Sequence, residues 1–126
     1  MNLVLLPMVL SVCRLAPEEA VPRWVLQDRS LVSITYTRDE LSVVCPARSV
    51  PAMIQCESGW RALQVQGPLD FALTGILAAL ATPLAAANIP IFALSTFDTD
   101  YLLVKAHHVE RARAALQQHG HVFVVL

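Results

Sequence analysis

The second half of this chain carries an order of apolar patterns that few small folds can accommodate. Residues 60–66 alternate apolar and polar side chains, which is typical of a half-buried strand. Between residues 69 and 87 the apolar positions recur at helical spacing instead, so we expect a helix there, kinked or restarted at Pro83. Gly67 and Pro68 separate the two patterns. The chain therefore changes from strand to helix over a very short segment, which limits the arrangements open to the rest of this half.

After this helix, the sequence pattern predicts two further strands, a second helix and a last strand. Residues 90–95 and 101–105 are apolar runs joined by a short polar turn, as in a β-hairpin. A closing helix that ends at Gly120 and a strand over residues 122–126 follow. The order β-α-β-β-α-β is the split βαβ, or ferredoxin-like, arrangement, in which two helices cover one face of an antiparallel sheet. We therefore predict an α+β fold of this type.

The first half of the chain repeats this order weakly, with its helices shortened to about one turn each. Strand-like runs at residues 31–36 and 40–45 are joined by a short polar turn, which predicts a hairpin. The apolar run over residues 3–15 predicts a first strand that is interrupted by a proline. Because no flexible linker separates the halves, we predict two modules that pack together, residues 1–59 with abbreviated helices and residues 60–126.

The composition and charge argue against several classes of function. The chain is 56% hydrophobic and 15% charged, and excess apolar surface in a small protein often ends in a subunit contact, so we expect a homodimer. A net charge of −1 without a basic stripe gives no support for nucleic-acid binding. The apolar start lacks a leading basic residue and ends at Arg14, which predicts neither a signal peptide nor a membrane helix. We therefore expect neither a nucleic-acid partner nor a membrane.

The three cysteines suggest a reducing compartment. Cys13, Cys45 and Cys56 form no closely spaced pair, and their number is odd. Cys13 and Cys45 lie in apolar runs, where a free cysteine behaves as a small buried hydrophobe. We therefore expect free thiols in a cytoplasmic protein, with a disulfide or a reactive thiol as the alternatives.

Two short polar segments lie at junctions of the second half, at residues 67–71 and 95–100. Loops on a rigid scaffold often carry binding chemistry. If the fold brings the segments together, they form a small polar site for a ligand with an amine and a carboxylate. Asp70, in the first turn of the predicted helix, either caps that helix or faces the ligand's amine. Asp98 is expected to form the hairpin turn, and Asp100 is the favoured ligand contact.

The start of the predicted helix suits the other end of such a ligand. Its backbone amides have no partners within the helix, so a ligand carboxylate can sit there without an arginine. Gly75 is expected one turn inside this helix, where it costs stability relative to alanine. Close backbone approach, to a neighbouring element or to a ligand, explains a glycine at that position.

Few residues suggest catalysis. The chain lacks a Gly-x-Ser-x-Gly elbow and a glycine-rich phosphate loop. His107 and His108 are adjacent and lie on different sides of a helix start, whereas His119 and His121 have no third metal ligand nearby in sequence. We therefore expect no enzyme, no metal and no cofactor. A small metal-assisted enzyme that uses His119 and His121 is kept as a minor alternative.

Two stretches of the second half, WRALQVQGPLDFALTGIL at residues 60–77 and NIPIFALSTFDTDYLLV at residues 88–104, resemble the ACT domain. Residues 33–35 and 40–46 are similar to the first module of small bacterial tandem-ACT proteins, so the resemblance covers nearly the whole chain. Those proteins are in turn similar to the ACT modules of aspartate kinases and of the CASTOR arginine sensors.

The resemblance implies regulatory binding of an amino acid at the interface between ACT modules. By position it nominates seven ligand-binding residues: Gly67, Asp70, Leu73, Thr96, Phe97, Thr99 and Asp100. Asp70 and Asp100 then hold the ligand ammonium. Backbone amides near Gly67 and Thr96 hold its carboxylate, and Phe97 forms an apolar wall.

The resemblance also bears on assembly and on selectivity. The sensors have four modules in one chain and this chain has two, which implies a dimer, and any regulated partner is a separate protein. The sensor hairpin carries an aromatic residue at the position of Thr99, so the identity of the amino acid stays open. The alternative function is a ligand-free ACT-fold module for protein interaction, which the high apolar fraction also supports.

Overall fold

A computed structural model describes residues 1–125 of the chain. Within that range the regular elements are eight strands and two α-helices, with three short turns of 3-10 helix between them. In chain order the strands and α-helices are β1 (Asn2–Leu5), β2 (Leu10–Leu15), β3 (Ser33–Tyr36), β4 (Leu41–Pro46), β5 (Cys56–Val65), α1 (Ile76–Ala86), β6 (Phe92–Ser95), β7 (Asp100–Lys105), α2 (Val109–Gln118) and β8 (Val122–Phe123). Among the residues described, no helix combines the length and apolar character needed to cross a membrane.

The chain forms two compact units. The N-terminal unit comprises Met8–Trp60, and the C-terminal unit comprises Met1–Pro7 together with the chain from Arg61 onward. The first half of β5 thus belongs to one unit and its second half to the other. This division differs from the predicted modules, residues 1–59 and 60–126, in assigning the first seven residues to the C-terminal unit and Trp60 to the N-terminal unit.

The C-terminal unit has the sheet order β6-β7-β5-β1-β8. β1 is antiparallel to β5, with Leu3 opposite Val65, and parallel to β8, with Asn2 opposite Val122. The remaining strands and the two helices follow the predicted order β-α-β-β-α-β. The predicted ferredoxin-like fold is therefore confirmed, with β1 added between its first and last strands.

Both helices of this unit pack on the same face of the sheet. A single buried cluster joins side chains of the two helices to alternate residues of the strands, as the periods of a helix and a strand require. Its members are Leu3, Leu63, Val65, Leu80, Leu84, Ile89, Leu102, Val104, Val109, Ala112 and Leu116. This core holds the loops at the end of the sheet in place, and those loops carry the candidate site.

The N-terminal unit is an antiparallel sheet in the order β3-β4-β2-β5. Its core is smaller and comprises Leu15, Val25, Leu41, Val43 and Cys45. The helical segments described here are single 3-10 turns, Arg23–Leu26 and Ala47–Ser49. They match the shortened helices that the weak repeat predicts.

Several element boundaries differ from those predicted. The first apolar run forms two strands, β1 and β2, because Pro7 lies between them and they pair with different parts of β5, residues 63–65 for β1 and residues 56–60 for β2. α1 begins at Ile76, seven residues after the predicted start at residue 69, and continues through Pro83 without a break. The last strand covers only Val122–Phe123, and Leu126 lies outside the described residues.

Candidate functional site

The hairpin between β6 and β7 turns tightly over residues 96–99. Ser95 pairs with Asp100 where the two strands end. The Thr96 amide donates to the Thr99 carbonyl at 2.8 Å, and the Thr96 hydroxyl bonds to the same carbonyl at 3.2 Å. Because the two threonines hold the turn closed, Phe97 and Asp98 lie at its tip.

The loop between β5 and α1 (residues 66–75, loop 66–75 below) is fastened to this turn. The buried Thr99 hydroxyl donates to the Val65 carbonyl at 2.6 Å, and the Leu69 amide donates to the Asp98 carbonyl at 2.7 Å. Gly67 lies at the closest approach, because a Cβ at this residue would be 3.1 Å from the Asp98 carbonyl oxygen. The two polar segments of the sequence therefore meet in the structure.

Loop 66–75 ends in a local turn rather than in the first turn of a helix. Asp70 Oδ1 accepts a hydrogen bond from the Ala72 amide at 2.8 Å, and the Asp70 carbonyl accepts one from the Leu73 amide at 3.0 Å. Gly75 then adopts a φ of 76°, in the left-handed region that favours glycine, and serves as the N-cap residue of α1. The predicted positions of Asp70 in the first helical turn and of Gly75 inside the helix are both wrong, because this Asx turn replaces the helix over residues 69–75.

A pocket of about 250 Å³ lies between loop 66–75, the start of α1 and the hairpin turn. It is smaller than the roughly 300–1,000 Å³ typical of pockets for drug-sized ligands. Its lining residues are Leu69, Asp70, Phe71, Leu73, Gly75, Ile76, Leu77, Thr96, Phe97, Asp98, Thr99 and Asp100. We refer to it as the hairpin pocket.

The charged groups of the hairpin pocket all have one sign. Asp70, Asp98 and Asp100 line it, and no lysine, arginine or histidine occurs among its lining residues. Asp100 Oδ1 accepts a hydrogen bond from the Ser95 hydroxyl at 2.6 Å. Burial, and then the charge of Asp98, raise the pKa of Tyr101 on the adjoining strand. The pocket therefore favours a ligand that brings a positive group.

The mouth of the pocket carries two aromatic rings. Phe71 of loop 66–75 and Phe97 of the hairpin turn make an edge-to-face contact, with ring centroids 4.9 Å apart and planes at 89°. Their side chains are 73% and 79% exposed, so this contact is made at the surface and not in the core. Exposed aromatic rings beside carboxylates offer an apolar surface to a ligand side chain.

The N-terminus of α1 supplies the opposite electrostatic character. Gly75, Ile76 and Leu77 all line the hairpin pocket, and no side-chain cap bonds to this helix end in the described structure. The first amides of an α-helix have no partner within the helix and carry a partial positive charge. The pocket therefore combines three carboxylates with donors suited to a ligand carboxylate.

Six of the seven nominated site residues line the hairpin pocket, and the list is Asp70, Leu73, Thr96, Phe97, Thr99 and Asp100. Gly67 does not line it and instead lies against the backbone of the hairpin turn. The Thr96 amide, expected to bind the ligand carboxylate, already donates to the Thr99 carbonyl. The amides at the start of α1 are better placed for that contact.

The sequence interpretation did not nominate Leu69, Phe71, Ile76 or Leu77, and it assigned Asp98 to the turn alone. Asp98 both forms the turn and lines the pocket. Ile76 and Leu77 belong to the apolar pattern that predicted the helix, so their spacing suggested core positions, whereas Phe71 lies outside that pattern. Gly75 is the one signal that indicates the later helix start, because glycine is a common residue where the backbone needs a positive φ.

His119 and His121 make their contacts away from the residues that line the hairpin pocket. His119 Nδ1 donates to the Ala115 carbonyl at 2.9 Å. His121 Nε2 lies 3.2 Å from the Ala79 carbonyl, and its Nδ1 lies 3.1 Å from the Met1 amino group. Within residues 1–125, no group of three or more histidine, cysteine or acidic side chains has the arrangement of a metal site.

Comparison with family models gives two matches along the chain. A model described as the ACT domain matches residues 55–118. A second model, described as an N-terminal domain, matches residues 10–53. The first match contains both segments of the hairpin pocket.

Comparison with solved structures gives one close relative and several distant ones. The chain is 37% identical to a protein from Agobacterium tumefaciens, with a TM-score of 0.92 over 99% of this chain and 92% of that one. It is 18% identical to a protein of unknown function, a possible transport protein, from Vibrio cholerae, with a TM-score of 0.77 and coverage of 94% and 88%. The regulatory subunit of aspartate kinase from Thermus thermophilus, in its ligand-free form, is 11% identical, with a TM-score of 0.61 and coverage of 90% and 93%. For the proteins from Vibrio cholerae and Thermus thermophilus, which are 18% and 11% identical to this chain, the similarity shows a shared fold.

Proposed function

Because this chain belongs to the ACT domain family, we propose that it is a non-catalytic regulatory protein that binds an amino acid in the hairpin pocket. The observation that carries the proposal is the presence of opposite electrostatic features in the lining of one small cavity. Carboxylates of loop 66–75 and of the hairpin turn line the cavity together with the amide end of α1. An α-amino acid carries the two complementary charges at a fixed short separation.

The ligand ammonium is bound by Asp70 and Asp100. Both carboxylates line the hairpin pocket, and each has one oxygen engaged in a hydrogen bond within its own turn. A carboxylate accepts through two oxygens, so a second oxygen of each is available for a charge-assisted hydrogen bond. The bonds from Ala72 and Ser95 hold the two side chains in position before the ligand arrives.

The ligand carboxylate is bound by the first amides of α1, and the ligand side chain packs on Phe71 and Phe97. This assignment replaces the Thr96 amide of the sequence-based scheme. A third carboxylate, Asp98, lines the same pocket without a cation to neutralise it. We therefore expect aspartate and glutamate to be the weakest ligands, because each adds a negative charge to an acidic site.

The protein acts as a cytoplasmic homodimer that regulates a separate protein. The exposed rings of Phe71 and Phe97 at the mouth of the pocket support a dimer, because a second copy that covers them removes apolar surface from water. The free thiols of Cys13, Cys45 and Cys56 support a reducing compartment. Light scattering on the purified protein tests the assembly, and a monomer at all concentrations contradicts it.

A thermal-shift screen with the twenty amino acids tests the proposed binding. A ligand that binds the folded state raises the melting temperature by mass action. We expect one or a few amino acids to raise it, and the variant Asp100→Asn to lose most of that rise. The matched control is Asp39→Asn, a carboxylate on the hairpin of the N-terminal unit, which retains the full rise. A screen in which no amino acid shifts the melting temperature is evidence against the proposal.

The second candidate function is protein interaction through an ACT fold without a ligand. The exposed side chains of Phe71, Leu73 and Phe97, which are 54–79% exposed, favour it. Exposed apolar patches often mark a protein contact. Binding of one partner protein that is unchanged by amino acids and abolished by Phe97→Ala distinguishes this function from ligand sensing.

A further inference from the structure

The three cysteines of the N-terminal unit lie side by side on neighbouring strands. Cys13 of β2 is directly opposite Cys56, the first residue of β5. On the other side, Cys13 is opposite Val43 of β4, and Cys45 is two residues further along that strand. Because residues two apart on a strand face the same way, all three thiols share one face of the sheet.

Cys13 and Cys56 occupy the close type of antiparallel pair. The neighbouring residues, Arg14 and Gln55, are joined by a backbone hydrogen bond of 3.0 Å from the Arg14 amide to the Gln55 carbonyl. Hydrogen-bonded and non-hydrogen-bonded residue pairs alternate along an antiparallel ladder. Because Arg14 and Gln55 form a hydrogen-bonded pair, Cys13 and Cys56 form a non-hydrogen-bonded pair, with Cα atoms about 4.5 Å apart. Disulfides span Cα separations of about 4.4–6.8 Å, so this pair can be bridged without moving the strands.

The three thiols differ in their access to solvent. Cys13 is 1% exposed and Cys45 is fully buried, whereas Cys56 is exposed. Reaction with a dissolved oxidant therefore begins at Cys56, because it is the exposed thiol of the three.

We propose that Cys56 and Cys13 form a thiol-oxidation site, in which hydrogen peroxide oxidises the exposed Cys56 and the buried Cys13 resolves the product to a cross-strand disulfide. In the first step the Cys56 sulfur attacks the peroxide, the O–O bond breaks, and Cys56 sulfenic acid and one water form. In the second step the Cys13 sulfur attacks Cys56 Sγ, and the leaving hydroxide takes the Cys13 proton to give a second water. Peroxide is reduced and the two thiols are oxidised, with two electrons transferred.

The sequence makes this disulfide straightforward to identify. Trypsin cleaves after arginine, and the arginines at positions 14, 38, 48 and 61 place the three cysteines on separate peptides. Cys13 lies in residues 1–14, Cys45 in residues 39–48 and Cys56 in residues 49–61. Each of the three possible disulfides therefore links a different pair of peptides.

The experiment treats the full-length protein with hydrogen peroxide, blocks remaining thiols and digests under non-reducing conditions. We expect the peptides with Cys13 and Cys56 to be linked, an intact mass lower by two hydrogen atoms, and a third thiol that is alkylated only after denaturation. Cys56→Ser, an exposed change, abolishes the link. The matched control Cys45→Ala retains it.

Trapping with dimedone gives a second readout that needs no change in the core. In wild-type protein with excess dimedone, we expect the adduct on the peptide of residues 49–61 and less of the disulfide. An adduct on Cys13, a disulfide that contains Cys45, or conversion of Cys56 to sulfinic acid with no linked peptide overturns the proposal. So does a disulfide that joins Cys56 residues of two chains.

Discussion

Thr99 donates a hydrogen bond from its hydroxyl to the carbonyl oxygen of Val65 at 2.6 Å, and this bond joins the β6–β7 hairpin to the end of β5. Both residues are buried, with 5% and 1% of their surface exposed. The bond fixes the distance between the hairpin turn and loop 66–75, which together form the hairpin pocket.

Replacing Thr99 with valine keeps the shape of the side chain and removes this donor. The Val65 carbonyl then loses its side-chain partner in a buried position, so we expect Thr99→Val to lower the free energy of unfolding by about 1–2 kcal/mol. Urea denaturation measures the change. Thr99→Ser is the matched control, because it retains the hydroxyl, and it should lose less. If Thr99→Val is as stable as wild type, the hydrogen bond to Val65 does not contribute to stability and this expectation is wrong.

Gly67 allows the backbone of loop 66–75 to approach the hairpin turn. A Cβ at this position would lie 3.1 Å from the Asp98 carbonyl oxygen and 3.2 Å from Thr99 Cβ. The Asp98 carbonyl is also held by the Leu69 amide at 2.7 Å, so it cannot easily move away. We expect Gly67→Ala to cost at least about 1 kcal/mol of stability through overpacking and to weaken ligand binding.

The control for this substitution is Gln66→Ala, an exposed change in the same loop. It should alter stability by no more than about 0.5 kcal/mol. Chemical denaturation of both variants makes the comparison. If Gly67→Ala is as stable as wild type, the close approach of the two segments is not a requirement of the fold.

Phe97 is expected to matter for binding and not for folding. It is 79% exposed, and its recorded ring contact is with Phe71, itself 73% exposed. At protein concentrations at which the chain is a monomer, we expect Phe97→Ala to change the free energy of unfolding by less than about 0.5 kcal/mol. The same variant should lose most of the rise in melting temperature that an amino acid gives to wild type. Val125→Ala, an exposed change outside the pocket, should retain both the stability and the rise in melting temperature of wild type. If Phe97→Ala binds the ligand normally, the Phe97 ring is not part of the binding site.

His108 is expected to make stability depend on pH. Burial, and then the charges of His107 and Arg111, lower the pKa of His108 below its usual value near 6.5. The unfolded chain therefore binds a proton more readily than the folded chain as the pH falls. The stability that the folded chain gains by keeping His108 neutral is fully present above about pH 6.5. It is lost as the pH falls toward the lower pKa that His108 has in the folded chain. Urea midpoints on both sides of pH 6.5 should fall less in His108→Gln than in wild type, and equal slopes would exclude His108 as the cause.

The order of elements in the C-terminal unit could be predicted from the sequence because each element has a local period. The alternation over residues 60–66 and the helical spacing of buried residues, Leu80 and Leu84 in α1 and Ala112 and Leu116 in α2, reflect burial against one core. No local period in the sequence indicates that β1 pairs with β5 and β8, because this pairing joins residues far apart in the chain. A local pattern predicts a strand but not its neighbours.

The start of α1 shows why the site was harder to predict than the fold. Leu73 has the helical spacing of the core residues Leu80 and Leu84, yet it is exposed and lines the hairpin pocket. An apolar residue that faces a ligand pocket cannot be distinguished by spacing from one that faces the core. The Asx turn of Asp70 and the positive φ of Gly75 set the start of α1 at Ile76. Both are local backbone conformations that compete with the helix.

Isothermal titration calorimetry of wild type and Asp100→Asn with each of the twenty amino acids tests whether the hairpin pocket is an amino-acid site. We predict that at least one amino acid binds wild type saturably at one site per chain. We also predict that Asp100→Asn binds that ligand at least about tenfold more weakly, equivalent to about 1.4 kcal/mol. The absence of binding by every amino acid, or equal affinity in the two proteins, would contradict the assignment of the hairpin pocket as an amino-acid site.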